Sequence, residues 1–368
     1  MNGPFDPCLA RWSERIRSAT TERKPLRLRG GGSKDFYGQA LSGELFDTRE
    51  YAGLAAYEPT ELVVTARCGT PLAELEAALA EKGQSLAFEP PHFGPAATVG
   101  GCLAAGLAGP RRARVGAVRD FVLGVKLIDG QGRLLNFGGQ VMKNVAGYDV
   151  SRLLAGSLGT LGLVVEVSFK VLPVALAEQT LRFDLPGENS QSLALARLNE
   201  WGGQPLPISA SAWVDDTLHV RLAGASAAVC AAAQKLGGQR VAADQASAFW
   251  ISLREHSHGF FAVRAAALWR LSVPATTPAL PLPGAQFVEW GGAQRWLHAS
   301  SPAEHQAIRQ AAAQAGGHAT LFRADPETKA AVGVFQPLAA PLARIHRELK
   351  AAFDPHGVFN PGRMYAEF

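Results

Sequence analysis

Three short stretches concentrate the residues able to grip a charged ligand. The first, Leu28-Arg29-Gly30-Gly31-Gly32-Ser33-Lys34, follows the strand-like run PLRLR. Three adjacent glycines permit positive φ, so successive N–H groups can turn inward as an anion-binding nest that suits a diphosphate. The same residues can equally form a flexible surface turn. The stretch is not a dinucleotide fingerprint, because no G-x-G-x-x-G opens a helix, and it is not a P-loop, because Gly-Lys-Ser/Thr is missing. The second, Pro90-Pro91-His92-Phe93-Gly94-Pro95-Ala96-Ala97-Thr98-Val99-Gly100-Gly101, is stiff and then abruptly bare. Its prolines fix the path, and its small residues leave backbone open to a ligand or to tight packing. Ala105-Gly106-Leu107-Ala108-Gly109 continues that wall. The third, Gly156-Ser157-Leu158-Gly159-Thr160-Leu161-Gly162, runs into Leu163-Val164 and is preceded by Lys143-Asn144-Val145-Ala146-Gly147-Tyr148-Asp149. Asp149 suits the N-cap of a following helix.

The elements that hold these loops are readable from periodicity. ELVVTAR, between Pro59 and Gly69, reads as a strand. Thr70 is expected to cap a helix that has Pro71 at its first position, Leu72, Leu75 and Leu79 on one face, and Gly83 at its stop. SLAF reads as a returning strand. FVLGVKLID and RLLNFG flank Asp129-Gly-Gln-Gly132, a hairpin signal. A helix over about 149–155 leads into the long strand GLVVEVSFKVLP. From about 176 the texture changes to alanine-rich helices (roughly 190–200 and 226–236) between strands such as ISASAWV and TLHVRLA, joined at Asp215-Asp216. LWRLSVP, QFVEW-GG-AQRWL and TLFR follow, with a helix near 302–315. Two rounds of strand, helix and hairpin imply one antiparallel sheet covered by helices. The chain closes with an amphipathic helix and turns in APLARIHRELKAAFDPHGVFNPGRMY.

With 368 residues, 47% of them apolar, the chain is long enough for two domains with full cores. Lys+Arg (36) against Asp+Glu (32) leaves +4, too mild to argue for nucleic acid. Arg111, Arg112, Arg114 and Arg119 form the one basic cluster, either a solvated loop or a phosphate or partner contact. Cys8, Cys68, Cys102 and Cys230 lie far apart, unlike metal or iron–sulfur ligands, so no metal is expected. The first twenty residues carry charges where a signal peptide is apolar, and no run approaches the ~20 apolar residues that span a bilayer. A cytoplasmic protein is expected, with peripheral docking at an inner membrane left open.

In order and spacing, RGGGS, ATVGG, the block VGAVRD-FVLGVKLIDGQGRLLNFGG, KNVAGYD and GSLGTLG resemble the FAD-binding domain of the vanillyl-alcohol-oxidase superfamily. Within it the series is most similar to the smaller FAD-binding subunits of bacterial glycolate oxidase (glycolate dehydrogenase). The likeness covers about residues 20–175 plus FDPHGVFNPGRM. It implies an α+β fold: a PCMH-type FAD-binding domain of two α/β subdomains over 1–175, completed by 338–368, and an antiparallel-sheet α+β cap over 176–337. It further implies that Leu28–Lys34 hold the FAD pyrophosphate, that His92–Thr98 with Gly100, Gly101 and Ala105–Ala108 line the diphosphate and ring side, and that Leu158–Val164 meet the ribose and adenine. Arg363 would return near the ring or serve as a terminal salt-bridge partner.

Two departures from the family pattern matter. Relatives that attach FAD covalently place a histidine where this chain has Ser33, so the FAD is expected to be non-covalent. The catalytic 2-hydroxy-acid dehydrogenases of the superfamily carry a G-D-G-N-x-H-type segment late in the chain, where this sequence has Gly316-Gly317-His318; one imidazole is a poor metal site. Oxidation of a 2-hydroxy acid needs a base and a cation for the carboxylate, and Arg270, Arg295, His318 and Arg323 are the cap candidates for those roles, or else surface or strand residues. The resemblance implies an enzyme complex converting glycolate to glyoxylate, with a larger FAD-binding catalytic subunit and an iron–sulfur subunit as partners. A self-sufficient D-2-hydroxy-acid (for example D-lactate) dehydrogenase and a non-catalytic scaffold are the alternatives.

Overall fold

The structure, a computed structural model, describes residues 6–139 and 148–368, so Lys143–Gly147 of the KNVAGYD stretch lie outside the described residues. The chain starts with a helix, Pro7–Glu22, whose first turn is closed by the Asp6 carboxylate accepting the Cys8 N–H (2.9 Å). Its Leu9, Trp12 and Ile16 share a core cluster with Phe46, Val165 and Phe359, so the N-terminal helix packs on segments from the start, middle and end of the chain. A two-stranded parallel sheet, Leu26–Arg29 with Glu44–Asp47, carries the first glycine loop.

Five antiparallel strands follow, in the spatial order Leu54–Glu58, Val63–Arg67, Leu163–Lys170, Val122–Ile128, Leu134–Gly138. Leu72, Leu75 and Leu79 of the helix Leu72–Ala80 are fully buried against this sheet, as their spacing predicts. Thr70 is not the cap, however. Its hydroxyl accepts from the Gly53 N–H (2.9 Å) and donates to the Gly53 carbonyl (3.0 Å), tying the turn after Val63–Arg67 to the approach to Leu54–Glu58, and Pro71 opens the helix instead. Of SLAF only Ser85 is strand, in the two-residue piece Gln84–Ser85 paired with Leu172–Pro173. Asp149 does cap the short helix Val150–Leu153, accepting the Arg152 N–H (3.2 Å).

Residues 177–323 build one eight-stranded antiparallel sheet. Its first half reads strand Ala177–Asp184, helix Ser190–Gly202, hairpin Ile208–Val214/Thr217–Gly224, helix Ser226–Leu236, strand Gln239–Arg240. The sheet order of these strands is fourth-first-third-second, the ferredoxin-like arrangement. The hairpin turns on Asp215 and Asp216, both at positive φ (48° and 56°), as a two-residue primed turn requires. The second half repeats the order in mirror sequence: Ala267–Ser272, hairpin Gln286–Glu289/Gln294–Ala299, helix Pro302–Gln314, His318–Arg323. The halves meet where Ile208–Val214 pairs with Gln286–Glu289. In the second half a Pro-rich loop stands in place of the first helix. The Arg295 side chain, fully buried, holds that loop by donating to the carbonyls of Thr277 (2.6 Å) and Pro278 (3.0 Å) and to Gly292 (2.9 Å).

Period-two alternation decides what this sheet presents. Trp269 and Leu271 pack under Ile308 and Ala312, while Leu268, Phe287, Trp296 and Phe322 face Tyr37, Ala105 and Leu107 of the first half of the chain. That second face is the seam beside the glycine loops. Arg270 shares it.

Candidate functional site

The first glycine loop begins where the Leu26–Arg29 strand leaves its ladder. Leu28 donates its N–H to Asn360 Oδ1 (2.9 Å), and Asn360 Nδ2 donates to the Leu158 carbonyl (2.7 Å). One C-terminal side chain thus ties the first glycine loop to the third. From Gly30 to Lys34 five consecutive backbone N–H groups find no acceptor among the described residues. Unpaired amides in such a run are costly unless water or an anion satisfies them, so this segment leaves five donors open to solvent or to an anionic ligand. Glycine is required sterically as well: a Cβ on Gly31 would overlap the Ala96 carbonyl and lie 2.9 Å from Ala96 Cβ, and one on Gly30 would overlap the Thr98 hydroxyl. Leu28 and Arg29 contribute position rather than donors; the Arg29 guanidinium is paired with Asp35 (2.7 Å).

The next five residues show the opposite polarity. Arg363 donates to the carbonyls of Asp35 (2.8 Å), Tyr37 and Gln39, and Lys329 donates to those of Phe36 and Gly38 (3.2 Å). Two cations therefore satisfy five successive carbonyls. Burial pushes the Arg363 guanidinium down to about 10, and burial with Arg363 alongside brings the Lys329 ammonium to about 8. Arg363 is a brace for the loop, not a surface ion pair, although it also borders the cradle.

Two cavities of about 90 and 70 Å³ open side by side along these loops and share Leu28, Arg29, Gly30, Gly101, Leu158 and Asn360. The first is closed by Gly31–Lys34, Thr98 and Ala105, the second by Gly100, Ser157, Gly159 and Gly162–Val164. Thr98 caps the helix Val99–Ala105, its hydroxyl accepting the Gly101 N–H (3.2 Å), and the Gly100 N–H bonds to Cys68 O (2.8 Å). Gly100 matters through closeness: a Cβ there would meet Cys68 Cβ at 2.8 Å.

Several expected lining residues do other work. His92 bonds its ring to Glu76 (2.9 Å), and the amides of His92 and Phe93 are both taken by the Glu255 carboxylate (3.1 and 2.8 Å). Gly94 to Ala97 buttress the nest from behind, with Ala96 against Gly31. Gly106, at φ +62°, packs on Gly156. Thr160 is bonded to Ser157 O (2.8 Å), and Leu161 lies in the core, so neither lines the cleft. Lys34 borders the cradle with its ammonium on the His92 carbonyl (3.2 Å), and burial lowers its pKa.

The cap candidates separate. Arg270 enters a small seam pocket with Phe93, Leu107, Ala108, His256, Glu289 and Trp296. Arg323 instead donates to the Phe261 carbonyl (2.5 Å), Arg295 is the loop brace already described, and His318 is exposed at the start of its strand, opposite Ser272. Of the basic cluster, Arg112 stacks over Trp290 (4.6 Å) and Arg119 is solvated. Sequence reasoning missed Glu255, His256 and Glu289 and did not assign Asn360 its bridging role. Glu255 and Asn360 act on partners far away in the chain, and only the FNPG motif around Asn360 gave any signal. Among the described residues no group of three or more His, Cys, Asp or Glu side chains is placed to hold a metal ion, and no helix is long and apolar enough to cross a membrane.

Known proteins carry the same framework. Residues 10–138 match the family model described as FAD binding domain. The alkyldihydroxyacetonephosphate synthase structure superposes over 95% of this chain and 74% of its own, with a TM-score of 0.66 at 14% identity, a likeness of fold alone. D-lactate dehydrogenase of Archaeoglobus fulgidus is 34% identical over 43% of this chain and 35% of its own length. These place the chain among the FAD-dependent 2-hydroxy-acid oxidoreductases of PCMH-type fold. Glycolate oxidase subunit GlcE of Escherichia coli (strain K12) is 49% identical over 96% of both chains, and this chain belongs to that family.

Proposed function

We propose that this chain holds FAD non-covalently along the joined clefts, with the diphosphate on the Gly30–Lys34 amides and the adenosine half along Leu158–Val164, as the FAD-binding subunit of a glycolate-oxidising complex. The observation that carries the reading is the run of five amides without acceptors, facing a cleft walled by Gly30, Thr98, Gly101 and Leu158. Residues 1–175 with 338–368 form the FAD-binding domain in this reading, and 176–337 the cap. FAD, when bound, supplies the hydride acceptor for oxidation of a 2-hydroxy acid such as glycolate to its 2-oxo acid. The protein's part is to hold and orient: Asn360 fixes the two glycine loops at one separation, and Arg363 with Lys329 fixes the turn that follows the nest. Ser33 stands where a covalent histidine link would be, in keeping with a dissociable cofactor. The partners are a larger FAD-binding subunit and an iron–sulfur subunit in the cytoplasm, with docking at the membrane through them.

The test is expression of the full chain alone and with its neighbouring subunits, followed by flavin and iron counts and a glycolate assay. One FAD per chain, and iron and full turnover only in the complex, are the expected results. Full glycolate or D-lactate turnover by the chain alone would refute the complex role, and a correctly folded chain that takes up no FAD would refute the cofactor assignment.

A further inference from the structure

The basic cluster that opens with Arg111, Arg112 and Arg114 takes no part in the cofactor cleft, and the fold leaves these three without acids. Arg112 lays its guanidinium over the Trp290 ring (4.6 Å), Arg114 is exposed, and Arg111 Nε is buried without a partner. Among the described residues no carboxylate pairs with any of their guanidinium groups. The nearby acids are engaged elsewhere. Glu89 accepts the Arg111 backbone N–H (2.9 Å) and the Arg221 guanidinium (2.7 Å), and Asp120 accepts the Ala117 N–H (2.7 Å). Burial, with Arg119 alongside, lowers the Arg112 pKa. Like charges set this close in the chain repel one another until an anion arrives.

Beside them lies a cavity of about 310 Å³, bounded by Pro110, Ala113 and Arg114 on one side and by Leu198, Trp290 and residues 208–211 on the other. Those last four are consecutive in one strand. Side chains of a strand alternate between its faces, so only the strand's edge brings all four to one cavity. That edge is open. The neighbouring strand Gln286–Glu289 pairs with it at Ala212 and Trp213 and then turns away through Trp290. No backbone hydrogen bond joins residues 208–211 to residues 110–115 or 290–292; Gly291 gives its N–H to the Ser211 hydroxyl (3.0 Å) instead. The wall opposite is fixed, because Trp290 Nε1–H donates to the Gly109 carbonyl (3.1 Å) under the ring that Arg112 covers.

An unpaired strand edge, an apolar floor of Leu198, Ile208 and Ala210, and an arginine rim lacking acids match an extended acidic segment of another protein. We propose that such a segment of a partner subunit docks here as an added strand beside residues 208–211, with an apolar side chain in the cavity and carboxylates on Arg112 and Arg114. An anionic membrane would be drawn by the charge alone and would leave the recessed edge unused. This deepens the complex reading above and rests on it.

The test uses the FAD-loaded full chain co-expressed with its neighbouring subunits. Arg112→Gln with Arg114→Glu reverses the charge of the rim. Lys235→Gln with Arg240→Glu makes the same change in net charge on exposed residues by the Gln239–Arg240 edge strand and is the control. Gly202→Phe fills the cavity without touching the arginines, since Gly202 lines it and a Cβ there meets open space. Mass photometry of the purified complex over a dilution series gives the dissociation constant, and yellow absorbance reports that each chain is folded and loaded. At low salt the rim variant and Gly202→Phe should each assemble about tenfold or more weakly than the wild type, and the control should match it. Added salt should weaken the wild type toward the rim variant. Hydrogen exchange at residues 208–211 should slow on assembly. Three results each overturn the docking assignment and leave the complex reading standing: yellow variants that assemble as the wild type does, unchanged exchange at that edge, or a rim variant that loses binding to phosphatidylglycerol vesicles rather than assembly. A yellow wild type that forms no complex with its neighbours sinks both readings together.

Discussion

Replacing Gly31 by alanine probes the nest most directly. The added Cβ would overlap the Ala96 carbonyl and come to 2.9 Å from Ala96 Cβ, against 3.4 Å or more for ordinary contact. Ala96 cannot retreat easily, because Pro95 stiffens the chain on one side and Thr98, on the other, caps the helix Val99–Ala105. The first glycine loop must move instead, by on the order of 1–2 Å if van der Waals contact is to be restored. A shift of that size breaks amide-to-phosphate hydrogen bonds, each of which contributes about 1.5–3 kcal/mol when the acceptor is charged. Loss of two costs about 3–6 kcal/mol, or at least a hundredfold in FAD affinity. Fluorescence-quenching titration of the apoprotein with FAD measures this. Gly202→Ala, at a helix end with open space around it, is the matched control and should bind as the wild type does. FAD affinity of Gly31→Ala within threefold of the control would refute the assignment of the diphosphate to this loop.

Asn360→Ala removes the bonds to Leu28 N–H and Leu158 O together and should cost about 2–3 kcal/mol of stability, with FAD affinity falling alongside; urea denaturation with and without FAD reads both. Lys350 and Asp354 form a buried pair (2.6 Å) that also anchors Thr160 O and the Val358 and Phe359 amides, so Lys350→Met should destabilise by about 3–5 kcal/mol in thermal melts, whereas exposed Arg344→Met should not. Glu289 carries a folded pKa near 7, raised from the ordinary 4.5, so the stability linked to its protonation is full below about 4.5 and is lost as pH rises to 7. Glu289→Gln should therefore melt higher than the wild type at pH 8, by up to about 3 kcal/mol, and lose that advantage at pH 5; equal gains at both would refute the buried-acid assignment. His318→Ala, at an exposed strand end, should leave stability and FAD affinity within about 0.5 kcal/mol.

Much of this was legible in the residues because the signals are local. Gly30–Gly32 after a strand forecast a loop with open amides, the Leu72/Leu75/Leu79 spacing forecast a buried helix face, and Asp215-Asp216 forecast a hairpin turn. Thr70 failed as a cap because the bend before Leu54–Glu58 offered its hydroxyl a pair of partners on Gly53. Arg295 has the composition of a substrate cation, but its strand aims it at the carbonyls of a proline-rich loop, and strand facing depends on register. His92 and Phe93 looked like open backbone until Glu255, 163 positions from His92, filled it. Contacts at such separations leave no periodic trace. They are fixed only when two sheets dock.

The cleft's two glycine loops lie roughly 130 residues apart in the chain, and both are locked by a side chain at position 360. During synthesis each loop emerges long before its fastener. Leu26 must also wait for Val358 and Asn360, with which it exchanges backbone hydrogen bonds (2.7 and 2.9 Å). The nascent polypeptide therefore travels most of the way off the ribosome with its cleft unlatched, and cofactor loading becomes one of the last steps in maturation. A frameshift that removed only the final dozen residues would spare both sheets and yet yield a protein unable to retain its flavin.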